Sequence, residues 1–442
     1  MNFAARPMRR SAVHPSRRRR PLRVAAPWVA MVVIGLVLPW LFRDYAHARD
    51  NGFMIAMFSQ MGMMIIFALS YNMLMGEAGL LSFCHAVFFG FGGYCVAHFL
   101  NAAGDGGFPL PLEVLPLAGG LCGLGLAVVF GAMATKQRTT AFAMITFGIG
   151  ELAVTAAIMF KHFFGGESGI TTDRTNAWSL FGVNYGHGLQ VYHLIIAWTL
   201  LAALGMYYLR GTPLGRMANA CRDNYERAQF VGYDPRMVRF IQFALSGLFA
   251  GIAGGLYCIT YEIVTYDAVA APLSGNALLM AFIGGVGSFS GPVIGAILIT
   301  ALQSGLSLMS NSWLVYVGVL FIAMVTFAPT GITGILRAHT PIVQSGRLRA
   351  LALPYARLLL PCLLVLAGFV GLVEMLSFAT IGASEGKALN LFGLTPDVHT
   401  VGPWLAAAAA ALVGIAWLRL EARRFQAAWD TVTTGLVPAG GR

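Results

Sequence analysis

Ser82 and His85 stand three residues apart in GEAGLLSFCHAVFFGFGGY, residues 76–94. On a helix that spacing puts both side chains on one face, where a histidine could take the proton of a serine nucleophile. No acid lies nearby to orient the imidazole, and small polar residues are ordinary packing groups between membrane helices, so no catalytic residue is assigned. Five glycines interrupt the same run. Backbone groups freed from helical bonding inside lipid need partners from protein, water or a cargo, so the segment reads as the lining of a pathway or gate, with close helix packing as the alternative. Glu77 is expected at the membrane edge, in solvent.

A second interruption, GGVGSFSGP at residues 284–292, carries the pattern G-x-x-S-F that also occurs at residues 79–83. Paired breaks of this kind offer half-helix N-termini, whose positive ends attract an anionic group. The candidate path residues are therefore Gly79, Ser82, His85, Gly284, Gly285, Gly287 and Ser288. Gly287, Gly291 and Gly295, like Gly247, Gly251 and Gly255, also form small-xxx-small steps that explain part of the pattern by tight packing. Glu151 stands in the apolar stretch ITFGIGELAVTAAIMF. A charge at that depth costs about 2.5–3.5 kcal/mol, so Glu151 is expected to face the protein interior or a wet path, as a structural hydrogen bond or a proton relay.

The solvent around these residues follows from composition. The 442 residues are 57% hydrophobic and 11% charged, with a mean hydropathy of +0.72, whereas soluble domains carry about 25% charged residues. The fold class is all-α, a polytopic integral membrane protein. Apolar stretches occur at residues 24–42, 53–75, 79–100, 109–134, 141–164, 191–209, 240–261, 277–304, 313–336, 351–376 and 401–418, most of them near the length of about 20 residues that a span needs.

Arginine sets the orientation, because only Lys136, Lys161 and Lys387 are lysines. Eight arginines precede Trp28. They place the basic tail, residues 1–23, in the cytoplasm as an uncleaved anchor, since 24–42 exceeds the core of a secretory signal; no nucleic acid is needed to explain them. Parity then puts residues 135–138 and 210–239 inside as well. It fails after Arg239, unless 277–304 is a broken or re-entrant segment split by its glycines into pieces too short to span. That correction gives ten crossings, one interrupted segment and two cytoplasmic termini.

The 210–239 loop, RGTPLGRMANACRDNYERAQFVGYDPRMVR, leaves room for a helix at about 216–231 between Pro213 and Gly232. Its charges alternate with Met217, Ala220, Ala228 and Phe230, a pattern suited to docking on another protein, with a solvated connector as the alternative. A nucleotide-binding G-x-x-x-x-G-K-[ST] loop is absent: Gly386-Lys387 is followed by Ala388, and Ile381 stands where the first glycine belongs. An ATP-driven motor would be a separate chain, and no cofactor is expected. The six cysteines show no metal-type spacing and read as buried free thiols, so no metal is expected.

Several of these motifs, in order, resemble the LivM-type permease subunits of branched-chain amino acid ABC importers: G-x-A-G-L-L-S-F-x-H-A at 76–86, GRMANACRDNYERAQFVGYDP at 215–235, FALSGLFAGIAGGLY at 243–257 and IGGVGSFSGPVIGA at 283–296. The resemblance covers residues 53–336. It implies a permease domain over 24–336 in the bacterial inner membrane, paired with a second permease, two cytoplasmic ATP-binding subunits and a periplasmic substrate-binding protein. It also makes residues 215–232 the coupling helix, with Gly215, Arg216, Arg222, Asp223, Glu226, Arg227, Ala228 and Gly232 at the ATPase contact. The family often has Gln and Gly where this chain has Leu81 and Cys84, and related permeases carry urea or short amides. Residues 337–442 exceed the usual family length and add two spans. A gradient-driven channel or secondary carrier is the reading from another class.

Overall fold

The structure is a computed structural model, and the residues it describes are 21–42, 51–107, 110–137, 139–346, 348–380, 398 and 400–434. The arginine tail at 1–20 lies outside them. Helix α1 runs over Pro21–Leu41, α2 over Gly52–Asn72 and α3 over His85–Gly104. Leu115–Ala134 forms α4, Thr139–Met159 α5, and a single turn at Lys161–Phe164 α6. After an irregular segment come α7 (Gly188–Gly211), the short α8 (Pro213–Asp223) and α9 (Tyr225–Phe230), and the long α10 (Pro235–Tyr261). The chain closes with α11 (Ala271–Gly284), α12 (Ser290–Ser307), α13 (Trp313–Phe327), α14 (Gly331–Gln344), α15 (Leu348–Thr380) and α16 (Val401–Thr434).

Among the described residues nine helices are long and apolar enough to cross a membrane, or ten if α13 and α14, bent by 47° at a break containing Pro329, count as one span. The chain is an all-α, multi-pass membrane protein. The interrupted segment expected at 277–304 is a helical hairpin: α11 has 14 residues and α12 has 18. The expectation of two pieces too short to span is corrected for α12, which starts directly after the break at Ser290 and passes residue 304, long enough to cross.

Helix α10 is the axis of the packing, and its sequence explains why. Pro235 begins it, with Asp234 accepting the Arg236 amide at 2.9 Å, which fixes the start of the helix. Its glycine steps then let neighbours come to backbone distance. A Cβ on Gly119 of α4 would lie 2.9 Å from the carbonyl oxygens of both Gly92 and Gly251, so α3, α4 and α10 meet with no room for a side chain. The small-residue pattern at Gly247, Gly251 and Gly255 is thus a packing device.

Glu151 departs from expectation. The buried side of α5 is formed by Phe142, Thr146, Ala153 and Ala157, and Glu151 is exposed on the opposite side of the helix. It does not face the interior of this chain, because the helical period carries position 151 away from the face that packs.

At the end of the bundle remote from α8 and α9, a two-residue strand β1 (Ile170–Thr171) pairs antiparallel with β2 (Ile263–Val264). Arg174 staples this cap, donating to the carbonyls of Tyr185 (2.8 Å), Gly186 (3.2 Å) and Thr260 (3.3 Å). Glu113, just before α4, accepts from Ser179 Oγ at 2.6 Å, Tyr185 O–H at 3.2 Å and the Leu180 amide at 3.2 Å. Burial pushes its carboxyl pKa up, but these bonds outweigh it and hold the group below the usual carboxylate value. The α15 and α16 helices form a hairpin of their own, with Gly368 against Ala407 and Ala411. Tyr316 O–H to Glu374 at 2.5 Å, and a bond between His339 and Tyr355, join it to α13 and α14.

Two measurements check this architecture. Gly251→Val should lower the thermal midpoint of the detergent-solubilised protein by the equivalent of about 1–3 kcal/mol of overpacking. Gly125→Val, where a Cβ would have nothing within 4 Å, should leave it unchanged. Because the folded pKa of Glu113 is depressed, its stabilisation is present at neutral pH and is lost as pH falls below 4.5 through the lowered value. The midpoint gap between wild type and Glu113→Gln should therefore be open at pH 7 and close in acid.

Candidate functional site: a junction of two helix breaks

The first break begins where α2 widens into a π-turn over Met73–Ala78. Gly79, with φ of 69°, ends it, residues 79–84 are irregular, and α3 starts at His85. Ser82 is therefore not helical, which corrects the expectation that it shares a helical face with His85. Ser82 Oγ sits 3.5 Å from Cys84 Sγ, whereas His85 Nε2 sits 2.8 Å from Ser70 Oγ with its ring stacked on Phe67. Both residues are fully buried.

The second break shares the sequence Gly-x-x-Ser-Phe with the first but has its own backbone path. Gly285 has φ of 117° and Gly287 of 80°, backbone states that favour glycine, and α12 starts directly after Phe289. Ser288 Oγ lies 2.9 Å from the Gly285 carbonyl and 2.9 Å from Thr333 Oγ1, and it accepts the Gly291 amide at 3.0 Å. Thr333 also bonds the Gly284 carbonyl at 2.9 Å. At α3 the Ala86 amide donates to Ser274 Oγ at 2.8 Å. The helix N-termini expected to offer free amides to an anion are thus partly occupied, in this structure, by the chain's own serines.

These breaks, bridged by residues 216 positions apart in sequence, lie against each other. The Gly287 amide donates to Asn72 Oδ1 at 3.1 Å, and Asn72 Nδ2 reaches the Ser288 carbonyl at 3.5 Å. Arg210, in the last turn of α7, donates to the Gly287 carbonyl at 3.2 Å and stands 3.7 Å from the Glu77 carboxylate. Glu77 also accepts from Gln242 Nε2 at 3.1 Å and is buried, so the expectation of a solvated edge residue is corrected. Arg222 Nη1 bonds the Gly76 carbonyl. Of the expected path residues, Gly79, Gly284, Gly285, Gly287 and Ser288 belong to this junction; Ser82 and His85 pack beside it under α3. Asn72, Glu77, Arg210, Gln242 and Thr333 were missed. Asn72 and Glu77 flank the glycine break in sequence and could have been found there; Gln242 and Thr333 carry no comparable signal.

The expected single helix at 216–231 is two, α8 and α9, because Asn224 turns extended (φ −154°) and its side chain caps α9 by accepting the Arg227 amide at 2.9 Å. Gly215 and Ala228 are buried within the chain and offer a partner no surface, which corrects their place at the contact. A Cβ on Gly215 would lie 2.7 Å from the Arg210 backbone. Cys221 beside them is buried too, which pushes its thiol pKa up. Arg216, Asp223, Glu226, Arg227 and Gly232 are exposed, and Phe230 stands 90% exposed among Val231, Tyr233 and Met237.

Among the described residues the larger cavities lie away from the junction. One of about 600 Å³ opens between the starts of α2 and α7, by Ser59, Arg174 and His187. Another, of about 610 Å³, adjoins Glu113 and Trp198. A third, of about 700 Å³, lies among His339, Tyr355 and Trp429. Among the described residues no group of three or more His, Cys, Asp or Glu side chains could hold a metal ion.

Residues 53–328 match the family described as branched-chain amino acid transport system / permease component. The chain is 25% identical to the high-affinity branched-chain amino acid transport system permease protein LivM of Escherichia coli over 294 residues, covering 62% of this chain and 68% of that one. With LivM of Salmonella typhimurium it shares 24% over 338 residues, 72% of this chain and 77% of the relative. The xylose transport system permease protein XylH of Haemophilus influenzae is 32% identical over 139 residues, 30% of this chain and 36% of that protein. No solved structure matches. With two glycine breaks joined inside a bundle of apolar helices and the family match running from α2 to the end of α13, the chain belongs to the permease components of the branched-chain amino acid transport family.

Proposed function

We propose that this permease is the transmembrane subunit of an inner-membrane importer for branched-chain amino acids, moved by two separate ATP-binding subunits and fed by a periplasmic binding protein. A second permease subunit completes the path. The observation that carries the reading is the α8–α9 segment: its outer side presents Arg216, Glu226, Arg227 and an almost fully exposed Phe230, while its base is bonded to the first glycine break through Arg222. A soluble partner that seats on that outer side can act on the bundle through its base. Arginine-rich segments favour the cytoplasmic side, which supports placing α8–α9 and both chain ends there. The permease unit is residues 24–336, with 337–442, which begins inside α14, an appended segment that carries α15 and α16.

The two breaks border the path in this reading, with Gly79, Gly284, Gly285, Gly287 and Ser288 at its cytoplasmic end and Ser82 and His85 above them. Amino-acid cargo is favoured over sugar because the resemblance to the LivM proteins extends over 62–72% of the chain, against 30% for XylH.

Two experiments test this. Calorimetry on the cognate binding protein with leucine, isoleucine, valine, xylose and urea should show heat with the aliphatic amino acids; binding of xylose or urea alone would reassign the cargo. Phe230→Asp should weaken co-purification of the ATP-binding subunits at least tenfold, since an exposed aromatic anchor contributes about 2 kcal/mol or more at an interface. Uptake by the purified chain without those subunits would replace the reading with a gradient-driven carrier.

A further inference from the structure

We infer that Arg210 and Arg222 form a clasp that transmits displacement of the α8–α9 segment to both helix breaks, which makes them positioning residues of the transport cycle. The inference rests on the proposed docking of α8–α9 on a separate motor, and it adds the route by which motion there would reach the membrane core.

Two helices, α2 and α11, lead into the breaks. Both helices terminate at the junction, and the last carbonyls of a helix have no partner within it and carry partial negative charge. Glu77 adds a carboxylate at the same place. Positive side chains are the natural complement, and the structure supplies two, from either side of the corner at Thr212. Arg210 touches both breaks at once, Glu77 of the first at 3.7 Å and the Gly287 carbonyl of the second at 3.2 Å. Arg222 leaves α8, passes Gly79 and bonds the Gly76 carbonyl.

Glycine is required where that route passes residue 79. A Cβ on Gly79 would lie 2.7 Å from Arg222 Cγ, whereas one on Gly287 would lie 3.5 Å from its Nη1, an ordinary contact. The first break is thus shaped to let a side chain of α8 through. A guanidinium with five donors in a rigid fork can hold carbonyls that a lysine ammonium would grip at one point, so the residue type matters as well as the charge. Asn72 fastens the two breaks to each other, so they move as one body. Arg222 also bonds Asp223 at 2.9 Å, which turns that acid toward its neighbour.

Hydrogen–deuterium exchange on the whole reconstituted complex tests the clasp. Trapping with ATP and vanadate should change the exchange of residues 213–231, 73–79 and 285–289 together in the wild type. In Arg222→Ala the response at 213–231 should persist while the response at the two breaks is lost; Arg210→Gln should behave alike. Breaks that still respond in both variants overturn the clasp, as does a wild type in which 213–231 responds and the breaks do not. A wild type with no response at 213–231 overturns the docking proposal and the clasp with it. If Arg222→Ala does not assemble, Arg222→Lys decides by the same readout: loss of the response at the breaks supports the clasp and an unchanged response overturns it.

Discussion

A peptide group released from helical bonding in a membrane protein has no water to turn to, and that constraint organises this structure around its two glycine breaks. Each break frees carbonyls at the end of one helix and amides at the start of the next. The freed groups are met from elsewhere in the chain: Asn72, Arg210 and Arg222 for the break backbone, Ser274 and Ser288 for the amides that open α3 and α12. Removing any one partner would strand a polar group among apolar helices. The breaks are consequently held by hydrogen bonds from several helices, although by sequence they look like weak points of the bundle.

Glycine serves two different ends here. In α4 and α10 it brings helices to backbone contact, where dispersion replaces the hydrophobic drive that lipid cannot supply. In the breaks it supplies positive φ at Gly79, Gly285 and Gly287 and clears a route for Arg222. The same residue type thus makes a rigid seam beside an articulated junction. A tightly packed axis carries a polar junction at one end, where packing yields to hydrogen bonds.

Much of the fold was legible in the sequence because lipid imposes a coarse rule. Long apolar runs must be helices, and the failure of charge parity between Arg239 and Arg337 pointed to the α11–α12 hairpin. The Gly-x-x-Ser-Phe pair was legible as two breaks. The site was less so. Ser82 and His85 looked like neighbours on a helix, but the irregular 79–84 segment separates them and His85 pairs with Ser70. Glu77 and Glu151 exchanged expected environments, since burial of a carboxylate depends on which arginine or glutamine arrives from another helix.

The amino acids in order determined the solvent, the approximate number of spans and the interruptions, since each follows from local composition and spacing. Only the tertiary structure decided that the two interruptions touch, that Arg222 reaches the Gly76 carbonyl, and that Ser274 and Ser288 cap the helices beyond them. Those are contacts between residues up to 216 positions apart, and no local rule of propensity or periodicity records which distant side chain will satisfy a given carbonyl.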